Sequence, residues 1–386
     1  MPIIRKPFRW MFAALGASLL LAASGQGAQA APAGEYLVFI GTYTATTSKG
    51  IHAYRFQPSG GKLTPIGVVA GTPNPAFLAV SPDRRFLYAV NWRGSETVEG
   101  HTVSAYALDT ASGQLTFLNK VSSRGEAPTH LAVDPGGKAV FVVNYDSGSM
   151  AVLPIGGDGR LGEASYAEQY TGPSVHSLPG PHAHGVVFSP DNRFAFVADV
   201  GLDRVFVYRF DASSGAATPH DPPFLSGKPG LGPRHLAIRP DGKFLYANNE
   251  TASSVSVFSV AEGTLREIQT VSSLPADFDG RNSTAEIQID REGKFLYVSN
   301  RGHDSIAVFA VDAAKGTLTP VQHALSQGRT PRNFSLDPTG AYLFAANQNS
   351  GTIVLFRVDA ATGRLTSTGQ TFEVPTPSCV LFVKAE

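Results

Sequence analysis

The chain has 386 residues, with 31 Lys and Arg against 31 Asp and Glu, and only 16% of it is charged where globular chains average about 25%. A balanced charge and a single cysteine, Cys379, exclude a basic nucleic-acid footprint and any disulfide within the chain. Forty glycines suit a turn-rich all-β body.

Residues 1–30 read as a cleaved secretory leader. Arg5, Lys6 and Arg9 precede an apolar stretch from Trp10 to Ala23, and Ala28-Gln29-Ala30 has the small-x-small form of a cleavage site. The stretch is short for a span, which needs about 20 apolar residues. Cleavage predicts a periplasmic or secreted protein beginning at Ala31. It leaves 28 Lys and Arg against 31 Asp and Glu, a formal charge of −3.

From residue 36 onward one unit of about 50 residues recurs seven times, a period that marks propellers or solenoids. Its clearest copies begin Pro75-Ala-Phe-Leu, Pro128-Thr-His-Leu, Pro233-Arg-His-Leu and Pro331-Arg-Asn-Phe. Weaker copies start at Ala183 and Thr284, and a truncated one closes the chain at Pro377. Each copy continues through a turn such as Pro-Asp-Gly into an apolar run, as in FLYAVN, FLYANN and FLYVSN. An alternating run and a Gly-x-Leu turn follow. Four short strands with no helix-period stretch between them make one blade.

Neither end of the chain holds a whole blade. Residues 36–44 have the character of a second strand, and the matching first strand appears only at 377–383. The spacing therefore predicts an all-β, seven-bladed β-propeller over 36–386, a single domain closed by pairing of its N- and C-terminal strands. Closure removes exposed sheet edges.

The first two strands of each unit form a hairpin, so the start of one lies beside the end of the other on a single face of the ring. That face collects Asn91, His130, Asn144, His182, His184, Asp199, Arg234, His235, Asn249, Glu250, Glu286, Asn300, Arg301, Arg332, Asn333 and Gln348. Arginine offers a fork that fits carboxylate or phosphate. Histidine and glutamate can pass protons near neutral pH. A purely structural repeat gives no reason for Thr129, His184, Arg234 and Arg332 to differ at equivalent positions, which points to a binding pocket. His52, His101, His176, His220 and His323 fall in outer strands or loops and read as surface or satisfied groups.

Several segments in order carry a resemblance: Pro181-His-Ala-His-Gly, Ala198-Asp-Val-Gly, Gly232-Pro-Arg-His-Leu, Asn249-Glu250, Ala285-Glu-Ile, Ser299-Asn-Arg-Gly-His-Asp and Pro331-Arg-Asn-Phe. Together they resemble the seven-bladed propeller lactonase family, which includes the bacterial propeller-type 6-phosphogluconolactonase and, more distantly, the fungal 3-carboxy-cis,cis-muconate lactonizing enzyme. The resemblance implies a ring-opening or ring-closing reaction on a lactone, with the catalytic set falling on His184, Arg234, Glu250 and Arg301. His130, His182, His235, Glu286, Arg332 and Asn333 are the candidates for holding substrate. The expected reaction is hydrolysis of a sugar lactone by a monomer, with His184 or Glu250 as base. No cofactor, metal, nucleic acid or stable membrane association after leader removal is expected. A secretory leader sits badly with a cytoplasmic pentose-phosphate role. Two other readings stay open: a lactonizing cycloisomerase acting on a carboxylated acid, and a non-catalytic binding propeller whose mouth is plugged by residues 271–283.

Overall fold

The computed structural model describes residues 1–3, 34–44, 47–93, 100–173 and 178–386. The chain divides into Met1–Ala31 and Pro32–Glu386. Beyond its first three residues the leader lies outside the described residues, as does His176.

Within the second unit, 28 strands form seven four-stranded antiparallel sheets. The inner strands of blades 2 to 7 are Pro75–Val80, Pro128–Val133, Ala183–Phe188, Pro233–Ile238, Ser283–Ile289 and Pro331–Leu336. Blade 1 takes its inner strand, Pro377–Lys384, from the end of the chain and its second, Tyr36–Thr42, from the beginning. The two ends pair as the sequence predicts, in a register that runs from Tyr36 opposite Lys384 to Thr42 opposite Pro377.

The second strands are apolar up to a polar last residue or two because a blade packs on each of their faces: Phe86–Asn91, Ala139–Asn144, Phe194–Asp199, Phe244–Asn249 and Tyr342–Asn347 are buried at every residue. The core accordingly lies between blades. Phe141 of blade 3, for example, packs edge-on against Phe188 and Phe210 of blade 4 at 4.8 and 5.5 Å. The tyrosine of the Phe-Leu-Tyr runs has a polar task as well. Tyr88, Tyr246 and Tyr297 donate to the carbonyls of Gly159, Gly316 and Gly363 in the next blade at 3.1, 3.1 and 3.0 Å. The recurring turn glycine and the recurring tyrosine are thus two ends of one interblade hydrogen bond.

One irregularity recurs at the mouth of all seven blades. Pro233 pairs with Asn249 and His235 with Asn248, which leaves Arg234 as an extra residue, a β-bulge. The same shift leaves Thr129, His184, Arg332 and Ser378 unpaired in blades 3, 4, 7 and 1. In blades 2 and 6 it falls across Ala76-Phe77 and Ala285-Glu286. Bulges bend a strand and re-aim its side chains. In a regular strand, consecutive side chains leave on opposite faces. Here Arg234 Nη1 lies 3.1 Å from the Nε2 of its own neighbour, His235.

Candidate active site

The bulges define two stacked rings of side chains. The bulge position carries Thr129, His184, Arg234 and Arg332; the next carries His130, Gly185, His235, Glu286 and Asn333. A third set follows the buried polar residue near the end of each second strand: Tyr43, Trp92, Tyr145, Val200, Glu250, Arg301 and Gln348. A glycine is required at 185, where a Cβ would stand 2.5 Å from the Arg234 carbonyl oxygen and 2.9 Å from His235 Cα. Blades 4 and 5 therefore approach closely, and this brings His184 beside Arg234.

Arg234 is the hub. It is 1% exposed, and its Nε lies 3.0 Å from Glu250 Oε2, an ion-pair contact whose angle makes no hydrogen bond. Its Nη1 donates to His235 Nε2 and to the Ala285 carbonyl. Among the described residues no acceptor is bonded to Nη2. Burial, then the charge of Arg301, pulls the guanidinium down to about 9, which leaves it protonated at neutral pH.

Glu250 accepts from Arg301 Nη2 at 2.8 Å through its other oxygen, and the same Nη2 donates to the Thr284 carbonyl at 2.9 Å. Burial works to raise the Glu250 carboxyl, but Arg301 and Arg234 outweigh it and hold the group below its ordinary value. A carboxylate engaged on both oxygens and held low is a weak base.

His184 is buried, and its Nδ1 has no protein partner. Its ring stands 5.1 Å from that of His235 and 5.3 Å, edge-on, from that of Tyr145. Burial first, and next the Arg234 charge, holds it well below the usual imidazole range, so its lone pair is available at neutral pH. His182 lies with Nδ1 2.9 Å from the Tyr145 carbonyl. A carbonyl only accepts, so Nδ1 carries a proton, and Nε2 is buried with no hydrogen-bond partner among the described residues.

The remaining candidates divide by partner. His130 stacks on Phe77 at 3.9 Å and accepts from Val186 N at 3.4 Å. His235 Nδ1 faces Glu286 Oε1 at 3.4 Å, and Asn333 Nδ2 donates to Glu286 Oε2. Burial pushes the Glu286 carboxyl up to about 7. Arg332 is partly exposed, lies 5.4 Å over the Tyr43 ring, and pairs with no carboxylate among the described residues.

Other members of the sequence-derived set have structural tasks. Asn91, Asn144 and Asn300 are buried and donate to the carbonyls of Pro73, Ser123 and Ser273, tying each blade to the segment that leads into it; Asn347, which lies outside that set, does the same with the Ser326 carbonyl. Asn249 donates to Ser254 and Ser256. Blade 4 has Asp199 there instead, and its Oδ1 accepts from His182 N and Leu202 N at 3.0 and 2.9 Å. His220 lies in the outer strand Ala216–Ser226, buried, with its two ring nitrogens on the Pro222 and Glu262 carbonyls. Tyr145 was not among the candidates, although it follows Asn144 as Glu250 follows Asn249. Residues 271–283 are anchored beside blade 6, where Asn282 donates to Ser253 and Asn300 at 2.9 and 3.2 Å and Phe278 packs on His303 at 4.8 Å. Their described bonds do not reach Arg234, Glu250 or His184.

A surface cavity of about 450 Å³ lies elsewhere, between blades 1 and 2 along Val69–Pro73, Tyr106 and Phe117. Its charged lining residue is Lys120, and no carboxylate, imidazole or guanidinium lines it. Among the described residues no cluster of three His, Cys, Asp or Glu side chains is arranged to hold a metal ion.

Residues 37–382 match the family model described as lactonase, 7-bladed beta-propeller. The chain belongs to that family. It is 36% identical over 304 residues to a 6-phosphogluconolactonase of Bacillus subtilis, covering 78% of this chain and 84% of that protein. The structure of a periplasmic gluconolactonase of Pseudomonas aeruginosa superposes with a TM-score of 0.85 at 36% identity, over 90% of this chain and 99% of the other. A putative 6-phosphogluconolactonase of Bacteroides fragilis does so with the same score and identity, over 91% and 99%.

Proposed function

We propose that this propeller lactonase hydrolyses a sugar lactone at the mouth lined by His184, Arg234, Glu250 and Arg301, outside the cytoplasm. The observation that carries this reading is one arrangement. A buried imidazole with an available lone pair stands beside a guanidinium held by an ion-pair contact at Nε and hydrogen bonds at Nη1, with no acceptor bonded to Nη2 among the described residues.

Water attacks the ring carbonyl while the His184 imidazole takes its proton. The carbonyl electrons move onto oxygen, where Arg234 faces the developing oxyanion; one such donor is worth about 3 kcal/mol of barrier. Collapse breaks the bond between the carbonyl carbon and the ring oxygen. That oxygen leaves with the proton returned by His184, giving the open hydroxy acid. Glu250 serves as the clamp that holds two guanidinium groups in place, and the occupation of both its oxygens supports this assignment over the role of base. Arg332, lacking a carboxylate partner, suits a substrate anion, and His130 and His182 suit substrate hydroxyls. Export is supported by the leader pattern at 5–30 and by the likeness to the periplasmic Pseudomonas gluconolactonase.

Hydrolysis of gluconolactone and its 6-phosphate by the purified mature chain, with the spontaneous rate subtracted, tests the activity. N-terminal sequencing of the exported protein tests cleavage at Ala31. No turnover on either lactone, with lactonization of a carboxylated muconate instead, would replace hydrolysis by the cycloisomerase reading.

A further inference from the structure

His235, Glu286 and Asn333 bond to one another across three blades, and their atom-by-atom pairing leaves little choice of proton placement. Asn333 Oδ1 accepts from Val380 N at 2.8 Å, which fixes its amide with Nδ2 toward Glu286 Oε2. Glu286 Oε1 accepts from Ile287 N at 2.9 Å. Arg234 Nη1 can only donate, so His235 Nε2 is the acceptor and Nδ1 carries the proton that points at Glu286 Oε1. Every hydrogen-bonding partner of the Glu286 carboxylate among the described residues is thus an N–H donor.

We infer that Glu286 is a positioning residue: through the His235 tautomer it seats Arg234, and it does so only as a carboxylate. With the anion in place, the imidazole presents a lone pair to Arg234. Without it, the other tautomer becomes available and sets an N–H against an N–H, which unseats Nη1 and swings Nη2 away from the reacting carbonyl. An orienting carboxylate replaced by its amide fails in this way in other His–carboxylate pairs, by favouring the wrong tautomer. The groups facing Glu286 are His235 and Arg234 from blade 5, His130 from blade 3, Asn333 from blade 7 and Cys379 from blade 1. Burial, the largest influence on Glu286, raises its carboxyl to about 7. The inference deepens the lactonase reading and rests on it.

The test uses the mature protein with Glu286→Gln and Asn333→Asp. Replacing an orienting partner costs about 10- to 100-fold. Glu286→Gln should therefore lower kcat by that factor with KM nearly unchanged, and should remove the acid limb of the kcat/KM profile. Asn333→Asp, which sets a second carboxylate against Glu286, should move that limb to higher pH. Nitrogen NMR of the His235 ring should show Nδ1 protonated in the wild type and a changed tautomer in Glu286→Gln, whether or not a lactone is turned over. A raised KM with unchanged kcat would place Glu286 on the substrate and overturn the inference. An unmoved limb in Asn333→Asp would overturn it too, and so would an unchanged His235 tautomer. A wild type inert on lactones but showing the tautomer change would sink the activity and keep the relay.

Discussion

Arg301 donates to Glu250 across 2.8 Å, and the two residues occupy the same place in neighbouring blades, each one step past the buried asparagine of its second strand. The repeat has thus put opposite charges at equivalent positions, and Arg234 completes the cluster from the inner strand of blade 5.

Glu250→Gln should cut kcat/KM by about 100-fold, because an amide cannot hold two guanidinium groups where the oxyanion forms. The melting temperature should fall as well, since Arg234 and Arg301 lose their shared counter-charge. Steady-state kinetics with a thermal melt checks both; wild-type turnover would remove Glu250 from the machinery.

His184→Ala should lose about 100-fold or more in kcat, the share of a general base, while folding persists, because its Nδ1 makes no protein bond. Arg234→Ala is a poor kinetic probe. It takes from Glu250 one of its two guanidinium partners and from His235 Nε2 its donor, and breaking a buried pair costs about 3–5 kcal/mol. Arg234→Lys keeps a cation but loses the fork, so it should melt near the wild type and turn over about 100-fold more slowly.

Arg332→Ala should raise KM and leave kcat alone, since its role is uniform binding of an anionic group. Its melting temperature should be unchanged, because no carboxylate pairs with it among the described residues. A drop in kcat at saturating substrate would instead place Arg332 on the transition state.

Asp199 carries a pH signature of its own. Burial raises it from 3.8 to about 6, so the folded state binds its proton more tightly than the unfolded chain does. The stability it contributes is complete below pH 3.8 and is lost as pH rises through 6. Asp199→Asn keeps the Oδ1 acceptor for His182 and Leu202 and restores the residue found in blades 2, 3, 5, 6 and 7. The variant should be the more stable at pH 7, by up to about 3 kcal/mol, with the difference vanishing near pH 4. Denaturant melts across pH check this, and a constant difference at every pH would contradict it.

Deleting residues 377–386 should lower the melting temperature of the whole ring. The deletion removes the inner strand of blade 1 and bares the edge of Tyr36–Thr42. An unchanged melt would show that closure adds no stability.

Blade number, strand order and the closing pair of strands were all legible, because apolar runs and turn residues repeat with one period. Residue types at the mouth were legible as well. Partners were not, since Arg234, Glu286 and Asn333 come from different repeats and no sequence spacing says which of them bond. The five asparagines show the complementary limit: their position is periodic, but only the fold reveals that their amides serve the backbone and hydroxyls behind them. Tyr145 escaped notice because an aromatic residue at a strand end reads as core. The bulge, which lets Arg234 and His235 meet, has no signature in Pro-Arg-His-Leu.

A residue with no ladder partner in each inner strand is also a residue whose replacement leaves the ladder intact. Ala76, Thr129, Ala285 and Ser378 hold such places and carry small side chains. The ring therefore separates its chassis from its chemistry: these four positions can be re-lettered one blade at a time, and substrate preference can drift without the sheets having to be rebuilt.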